Sequence, residues 1–203
     1  SLGCDPSTTY FDLPRLRTAT SDGYLTSGMA YAFHPHRDAW YSAPHCQVNW
    51  WLPIYSFPAG SGMSIYPGYW SRSVANTSSS YDYEQWKKRY RFVANQEVRV
   101  DTRAQPKPTE TIAENDAFSV NTSPGSLTMF SVAQLHASSE NTSGETRFSI
   151  DYRTVHIDDV ERMHGATNVD SRCTGSNFGD FISCRDFRSL PSSLIQNYER
   201  GSV

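Results

Sequence analysis

Short apolar runs separated by Gly, Pro and small polar residues occupy most of the chain, a rhythm that predicts strands joined by turns. GYLTSGMAYAFHPH is β-branched and aromatic with Gly breaks, and CQVNWWLPIYSF is a second, denser strand candidate. Gly60, Gly62, Pro67 and Gly68 punctuate AGSGMSIYPGYW into strand and turn. Residues 71–115 differ: they are polar, hold the helix-like YDYEQWKKRYRF, and end in the Pro-containing RAQPKPTE, which reads as a long excursion off the sheet. Strands resume with AFSVNTSPGSLTMFSVAQLH. ETRFSIDYRTVHI is the clearest strand, with Phe148, Ile150, Tyr152 and Thr154 alternating against Arg147, Ser149, Asp151 and Arg153. After Asp158 the pattern turns to short helices and loops, as in DDVERMHG and SSLIQNYER.

Many strands, no regular strand–helix alternation and no internal repeat predict a sandwich or jelly roll rather than a parallel sheet. The expected architecture is an all-β core with peripheral helices in a single domain, 1–203. It has a jelly-roll core at about 20–157, an insertion or lid at about 71–115 and a helical and loop segment at 158–203.

Composition adds exclusions. Aromatic residues make up 13% of the chain, which suits a β-rich fold. The net charge of −3 and the lack of a Lys/Arg block argue against nucleic acid and against an anionic membrane surface as partners. No apolar run reaches the roughly 18 residues of a membrane helix. No signal-peptide pattern opens the chain, so a cytoplasmic setting is expected. The sequence begins without Met, as a trimmed chain or fragment would. Cys4, Cys46, Cys173 and Cys184 form no C-x-x-C pair, which argues against a zinc ribbon. Cys173 and Cys184 could bridge in an oxidising compartment, but reduced thiols suit the expected setting better. Asn76, Asn121 and Asn141 begin N-T-S triplets, read as turns.

The candidate chemistry starts at FHPHRDAW, where His34, His36 and Asp38 alternate at period two. On a strand all three would share a face. His34 and Asp38 would lie about 13 Å apart there, whereas His36 and Asp38 are adjacent on that face and chelate more easily. Two histidines and one carboxylate on one side are what a mononuclear iron that activates dioxygen requires. His136, at the end of an apolar run, is the candidate third ligand. Arg147 and Ser149 follow on the next strand and can return beside the metal with a guanidinium and a hydroxyl on one face. An Arg fork pairs bidentately with a carboxylate.

With these residues in place the chain resembles the iron(II)/2-oxoglutarate oxygenases, within them the phytanoyl-CoA dioxygenase-like branch. The matching pieces are H-R-D at 36–38, NWWLPIY at 49–55, GSGMSIYPGYW at 60–70, SPGSLTMFSVAQLHASSENTS and RFSIDYR, in order from about residue 24 to 155. The resemblance implies a double-stranded β-helix, a cupin-like jelly roll with Fe(II) at one mouth. It implies that His36, Asp38 and His136 hold the iron. Arg147 would bind the distal carboxylate of 2-oxoglutarate, with Ser149 beside it. Trp51 lies where the family often places an aromatic near the cosubstrate, and Gln47 and Asn49 share its strand face to hydrogen-bond a carboxylate. Trp40, Arg153 and Trp86 are candidate substrate contacts. His34, Arg37 and His45 are expected in supporting or solvent positions, and His156 and His164 at the surface. Tyr69-Trp70 replaces the usual Ser-His, and the N-terminal helical region usual in the family is largely missing, so an N-terminal region is expected to be absent from this chain.

The implied reaction couples decarboxylation of 2-oxoglutarate to oxidation, foremost hydroxylation, of a C–H bond of a small molecule such as a natural-product intermediate. Dioxygen is consumed, and succinate and carbon dioxide are released. Iron halogenases of this superfamily carry a small residue in place of the carboxylate; Asp38 fills that position, so halogen transfer is not expected. Two other classes compete: a cupin-like metalloenzyme without 2-oxoglutarate, and a non-catalytic jelly-roll binding module. Arg147 argues against the first, since such enzymes need no cosubstrate clamp. The full set of His36, Asp38, His136 and Arg147 argues against the second.

Overall fold

The computed structural model describes residues 3–23, 34–90 and 105–201. The chain opens with β1 (Thr9–Asp12) and β2 (Arg15–Ala19), two strands the sequence pattern did not announce. Then come β3 (Val48–Pro53), β4 (Met63–Ile65) and helix α1 (Tyr83–Tyr90). Three short strands follow: β5 (Phe118–Val120), β6 (Thr128–Ser131) and β7 (His136–Ser138). The long β8 (Arg147–His156) leads into α2 (Ile157–Glu161), β9 (Phe181–Ser183) and α3 (Ser192–Gly201). The segment expected as helices and loops after Asp158 thus also supplies a strand.

Among the described residues the strands form two antiparallel sheets. One runs β6-β3-β8-β1-β9, with β2 also on β8; the other runs β5-β4-β7. β8 is the spine of the larger sheet. One edge pairs with β3, from Val48 opposite Thr154 to Pro53 opposite Ser149. The other edge takes β1 near its C-terminal end and β2 near its start, with Phe11 opposite Thr154 and Ala19 opposite Arg147. The result is the expected all-β double-stranded β-helix, extended at both ends beyond the 20–157 core expected from sequence.

Three of the four apolar clusters among the described residues bear on the site. Tyr10, Val155 and Phe181 of the larger sheet pack with Val160 of α2 and Tyr198 of α3. Trp51, Met63 and Ile65 form a seam between the two sheets. Trp40, Tyr66, Tyr69, Val74, Ile112 and Leu135 form the third. Each such side chain contributes about 1.5–3 kcal/mol by leaving water. Val74 and Ile112 are the two legs of the 71–115 excursion, so its base belongs to the core. Main-chain bonds pin the legs together, Thr77 N–H to Lys107 O at 3.0 Å and Thr109 N–H to Ala75 O at 2.7 Å.

The strand expected over GYLTSGMAYAFHPH lies mostly outside the described residues. Its described end is not a strand: His36 makes an isolated antiparallel bridge to His136, and Asp38–Tyr41 is a single 3-10 turn. Pro35 removes a ladder donor, and the Arg37 carbonyl accepts the Trp40 N–H at 3.0 Å to start the turn. His34, His36 and Asp38 therefore share no strand face. His136 likewise begins β7 rather than ending the apolar strand before it.

Candidate active site

The His36–His136 bridge sets the site. His36 N–H donates to His136 O at 2.9 Å and His136 N–H to His36 O at 3.0 Å, leaving the ring centroids 4.3 Å apart. Asp38 reaches the pair from its turn, Oδ1 lying 3.4 Å from His36 Nε2 and 3.7 Å from His136 Nε2. All three are buried, and one donor atom from each lies within 4.8 Å of the others. The rings are fixed from behind: His36 Nδ1 is 2.8 Å from His34 O, and His136 Nδ1 is 2.9 Å from Gln134 O. A carbonyl only accepts, so each Nδ1 carries a proton and each ring turns Nε2 into the cluster. Burial drops His136 to about 4, which keeps it neutral at physiological pH. Burial acts on Asp38 in the opposite sense and is its largest influence, yet the contact with His36 and the charges of His136, His36 and Arg17 outweigh it and hold the carboxyl below its usual value. Two imidazoles and a carboxylate converging on one point are a donor set that fits mononuclear Fe(II) with open positions.

A cavity of about 450 Å³ extends from this cluster between the sheets. Arg147 lies in its wall, buried, with its guanidinium 5.5 Å from the centre of the Trp51 ring. Nη1 donates to Ser61 O at 2.7 Å and to Gly62 O; Nε has no partner. Burial pulls Arg147 down to about 10, still cationic at neutral pH. The buried Ser149 Oγ also has no partner. A buried guanidinium beside an unpartnered hydroxyl is a cradle for a carboxylate, because such groups cost about 1–3 kcal/mol each when left unpaired. Gly62 makes this geometry accessible. A Cβ there would lie 2.6 Å from Val120 O and 2.9 Å from the Phe57 ring, so only glycine permits the approach that presents its carbonyl to Arg147.

The rest of the polar wall is a connected network. Gln47 Nε2 donates to Asn49 Oδ1 at 2.8 Å and to Asp38 Oδ2 at 3.5 Å, while Asn177 Nδ2 donates to Gln47 Oε1 at 3.4 Å. The carboxylate that Gln47 meets is thus that of Asp38. Arg153 joins three carboxylates: Nε is 3.7 Å from Asp38 Oδ2, Nη1 3.3 Å from Asp12 Oδ2 and Nη2 3.1 Å from Asp151 Oδ2. Arg17 forks Asp151 at 2.7 and 3.0 Å, and Arg15 meets Asp12 at 2.8 Å. Burial pushes Asp12 up to about 7, with Asp151, Asp38 and Asp180 acting the same way and Arg15 opposing them.

One expected position differs. Trp40 does not reach the cavity: it is fully buried in the third cluster and its Nε1 donates to Asp170 Oδ1 at 2.7 Å. Arg37 is fully buried too, paired with Asp170 and donating to the carbonyls of Ala133, Tyr69 and Arg72. Trp86 does line the cavity, stacked on Tyr83 at 6.3 Å and 14°. His34 Nε2 is 2.7 Å from Pro106 O. Sequence reading missed Arg15, Arg17, Asn177 and Asp180 in the wall, and Asp12 behind Arg15 and Arg153. Asp151 was visible as part of the alternation on β8, but its partner Arg17 was not.

Residues 24–149 match the model of the phytanoyl-CoA dioxygenase (PhyH) family. The chain belongs to that family. No curated protein matches it. Among solved structures, the apo form of the non-heme monooxygenase ThoJ is 14% identical with a TM-score of 0.49, over 97% of this chain and 68% of that one. EvdO2 from Micromonospora carbonacea var. aurantiaca, complexed with 2-oxoglutarate, is 12% identical with a TM-score of 0.49, over 73% and 52%. The alpha ketoglutarate dependent epimerase SnoN from nogalamycin biosynthesis is 13% identical with a TM-score of 0.45, over 74% and 50%. At these values the assignment rests on the family match. The chain spans about half the length of the first solved structures it matches, 45% and 52%. The phytanoyl-CoA dioxygenase match includes all three candidate ligands, Arg147 and Ser149. It excludes Asp12, Arg15 and Arg17 before it, and Asp151, Arg153, Asn177 and Asp180 after it.

Proposed function

We propose that this chain carries the catalytic core of an iron(II)- and 2-oxoglutarate-dependent oxygenase that oxidises a C–H bond of a small molecule, most simply by hydroxylation. The observation that supports it best is one cavity holding both a His-Asp-His donor set and a buried Arg147 with an unpartnered Nε. In this reading His36, Asp38 and His136 hold the iron. Arg147, with Ser149, binds the distal carboxylate of 2-oxoglutarate, and Trp51 packs against the guanidinium. When bound, iron and 2-oxoglutarate supply the activation of dioxygen for C–H oxidation, with release of succinate and carbon dioxide.

The protein's own share is placement. Neutral His136 binds metal without first losing a proton, and ionised Asp38 supplies the compensating charge. Arg153 and Gln47 steady the far oxygen of Asp38. Trp51, Met63 and Phe130 line the cavity and keep water from the reacting centre. The described parts of the 71–115 excursion act as a lid, with α1 bringing Trp86 and Tyr83 over the substrate, while residues 91–104 lie outside the described residues. Dioxygen and the small molecule are the partners. No helix among the described residues is long and apolar enough to cross a membrane, and the free thiols of Cys4, Cys46, Cys173 and Cys184 support a cytoplasmic setting. A metalloenzyme without 2-oxoglutarate fits less well, because it leaves Arg147 Nε and Ser149 Oγ with nothing to bind.

Calorimetry with Co(II), a redox-inert substitute, followed by 2-oxoglutarate tests the assignment. Metal binding, then 2-oxoglutarate binding that requires the metal, is the expected result. With Fe(II) and oxygen-18 gas, the succinate formed should carry one labelled oxygen. Binding of 2-oxoglutarate that is absent or independent of metal overturns the reading.

A further inference from the structure

The amide side chains beside Asp38 have only one consistent orientation. The Asp38 carboxylate can only accept, so Gln47 must turn Nε2 toward it. The same Nε2 donates to Asn49, which must therefore offer Oδ1 and leaves Nδ2 over. Gln47 Oε1, on the other side of that amide, can only accept, so Asn177 must offer Nδ2 and leaves Oδ1 over. Both leftover atoms, Asn49 Nδ2 and Asn177 Oδ1, are buried without a partner, and both residues line the cavity. One charge on the ligand turn thus fixes a donor from β3 and an acceptor from the loop before β9.

The charged groups of the same wall are occupied with one another. Arg15 and Arg153 meet Asp12, Arg17 and Arg153 meet Asp151, and Lys87 meets Asp180. Apart from Arg147, which the oxygenase reading assigns to the cosubstrate, what this wall offers a ligand is neutral. The remaining surface includes the Tyr83–Trp86 stack, which lines the cavity.

We propose that Asn49 and Asn177, oriented by Asp38 through Gln47, form a recognition site for a neutral, hydroxyl-bearing ring compound. Hydroxyls suit the site because each both donates and accepts: one donates to Asn177 Oδ1, and one accepts from Asn49 Nδ2. The Tyr83–Trp86 pair takes an apolar face of the ring. An anionic substrate is disfavoured, since every carboxylate-binding group in the wall except Arg147 already holds a carboxylate. The proposal rests on the oxygenase reading for the role of Arg147, and Asn177 lies outside the family match.

The test uses the full chain loaded with Co(II) and 2-oxoglutarate. Phenyl β-glucoside, its per-O-methyl ether and phenyl β-glucuronide are titrated by calorimetry or ligand-observed NMR. The glucoside should bind about tenfold tighter than the ether, roughly what one or two buried hydrogen bonds supply, and the glucuronide should bind no tighter than the glucoside. Asn177→Leu should erase the difference between glucoside and ether while leaving the affinity for the ether unchanged, whereas loss of fold would weaken both. Gln47→Leu should reduce the same difference, because the Asn177 amide can then turn. A glucoside that binds no tighter than the ether, a glucuronide that binds tighter, or an Asn177→Leu protein that keeps the difference overturns the proposal. The Co(II) and 2-oxoglutarate loading titrations report separately on the oxygenase reading, so the two failures are distinguishable.

Discussion

Arg37 and Asp170 form a buried ion pair directly behind the ligand turn, Nε to Oδ2 at 3.0 Å, with side chains 1% and 3% exposed. Asp170 also accepts from Trp40 Nε1 at 2.7 Å and from the Val74 N–H at 3.0 Å. One carboxylate thereby ties the C-terminal segment to the turn that carries Asp38 and to the base of the excursion. Removing one partner of a buried pair leaves the other charge uncompensated. Asp170→Ala should destabilise the protein by about 3–5 kcal/mol, read by denaturant unfolding. Arg37→Met with Asp170→Leu should lose less than Asp170→Ala alone, because no orphan charge remains. Equal losses would mean that the hydrogen bonds to Trp40 and Val74, not the charge, dominate.

The metal ligands should behave oppositely. The bridge between His36 and His136 is made by main-chain atoms and does not need their rings. His36→Ala and His136→Ala should abolish metal binding and turnover while the sheet melts cooperatively as before. Full turnover by His136→Ala would remove that histidine from the site.

The pH dependence of the metal-free protein follows from the depressed pKa of His136. Folded, it titrates near 4; unfolded, near the ordinary 6.5. Between those values the unfolded chain binds more protons, so stability falls as pH is lowered through that window. From pH 7 to 5 the loss should be on the order of 2 kcal/mol. Asp12, raised to about 7, is protonated more readily when folded and contributes in the opposite sense over the same range. The comparison of wild type with His136→Ala isolates the histidine: the variant should show the shallower acid loss. Identical pH profiles would mean that the ring is not held neutral by burial.

Arg147→Ala should weaken 2-oxoglutarate by about 2–5 kcal/mol, the cost of leaving a buried charge unpaired, and Arg147→Lys should restore only part of it for want of the fork. Gly62→Ala should weaken it as well, since the added Cβ forces β4 away from Val120 and Phe57 and displaces the carbonyl that holds Nη1. Metal-dependent 2-oxoglutarate titration reads all three. An unchanged affinity in Arg147→Ala would shift the anchor to Arg153 or exclude this cosubstrate. Asp38 occupies the position that a halogenating relative leaves small, so mass spectrometry should find oxidised product without chlorine even in excess chloride.

These residues also mark where sequence reading succeeds. β8 was legible because its first eight residues, Arg147–Thr154, alternate, and because Arg147 and Ser149 sit on its polar face. A rule that turns apolar residues inward would have faced Phe148 and Ile150 to the cavity; instead the polar set of Arg147, Ser149, Asp151 and Arg153 lines it. The structure brings His36, Asp38 and His136 together despite a wrong local picture. His36 and Asp38 converge through a bridge and a 3-10 turn, not along a strand face, and period two was a coincidence of spacing. β1 and β9 were illegible because they are only four and three residues long, and β2 because Arg15 and Arg17 give it a polar pattern. They become strands only because β8 and β1 offer edges to pair with. Asn177 and Asp180 carry no motif at all, and only the fold brings them to Gln47 and Lys87.

Helix α1 supplies the last prediction. Asp82 caps it, accepting from the Gln85 N–H at 2.8 Å, and the same carboxylate accepts from Thr174 Oγ1 at 3.1 Å. Tyr83 O–H donates to Asp180, and Lys87 Nζ lies 3.0 Å from the same carboxylate. The helix that brings Tyr83 and Trp86 to the cavity is therefore latched to the C-terminal loop at both ends of its first two turns. A part-exposed ion pair of this kind contributes about 0–1 kcal/mol, so the latch is easily opened. Trypsin should cut slowly after Lys87, Lys88 and Arg89 in the wild type and several-fold faster in Asp180→Ala. Loading with Co(II), 2-oxoglutarate and a bound ring compound should slow cutting further, as expected of a lid that shields the reaction from water. Equal cutting rates in the loaded, unloaded and Asp180→Ala proteins, together with unchanged kinetics in Trp86→Ala, would make α1 an ordinary surface helix.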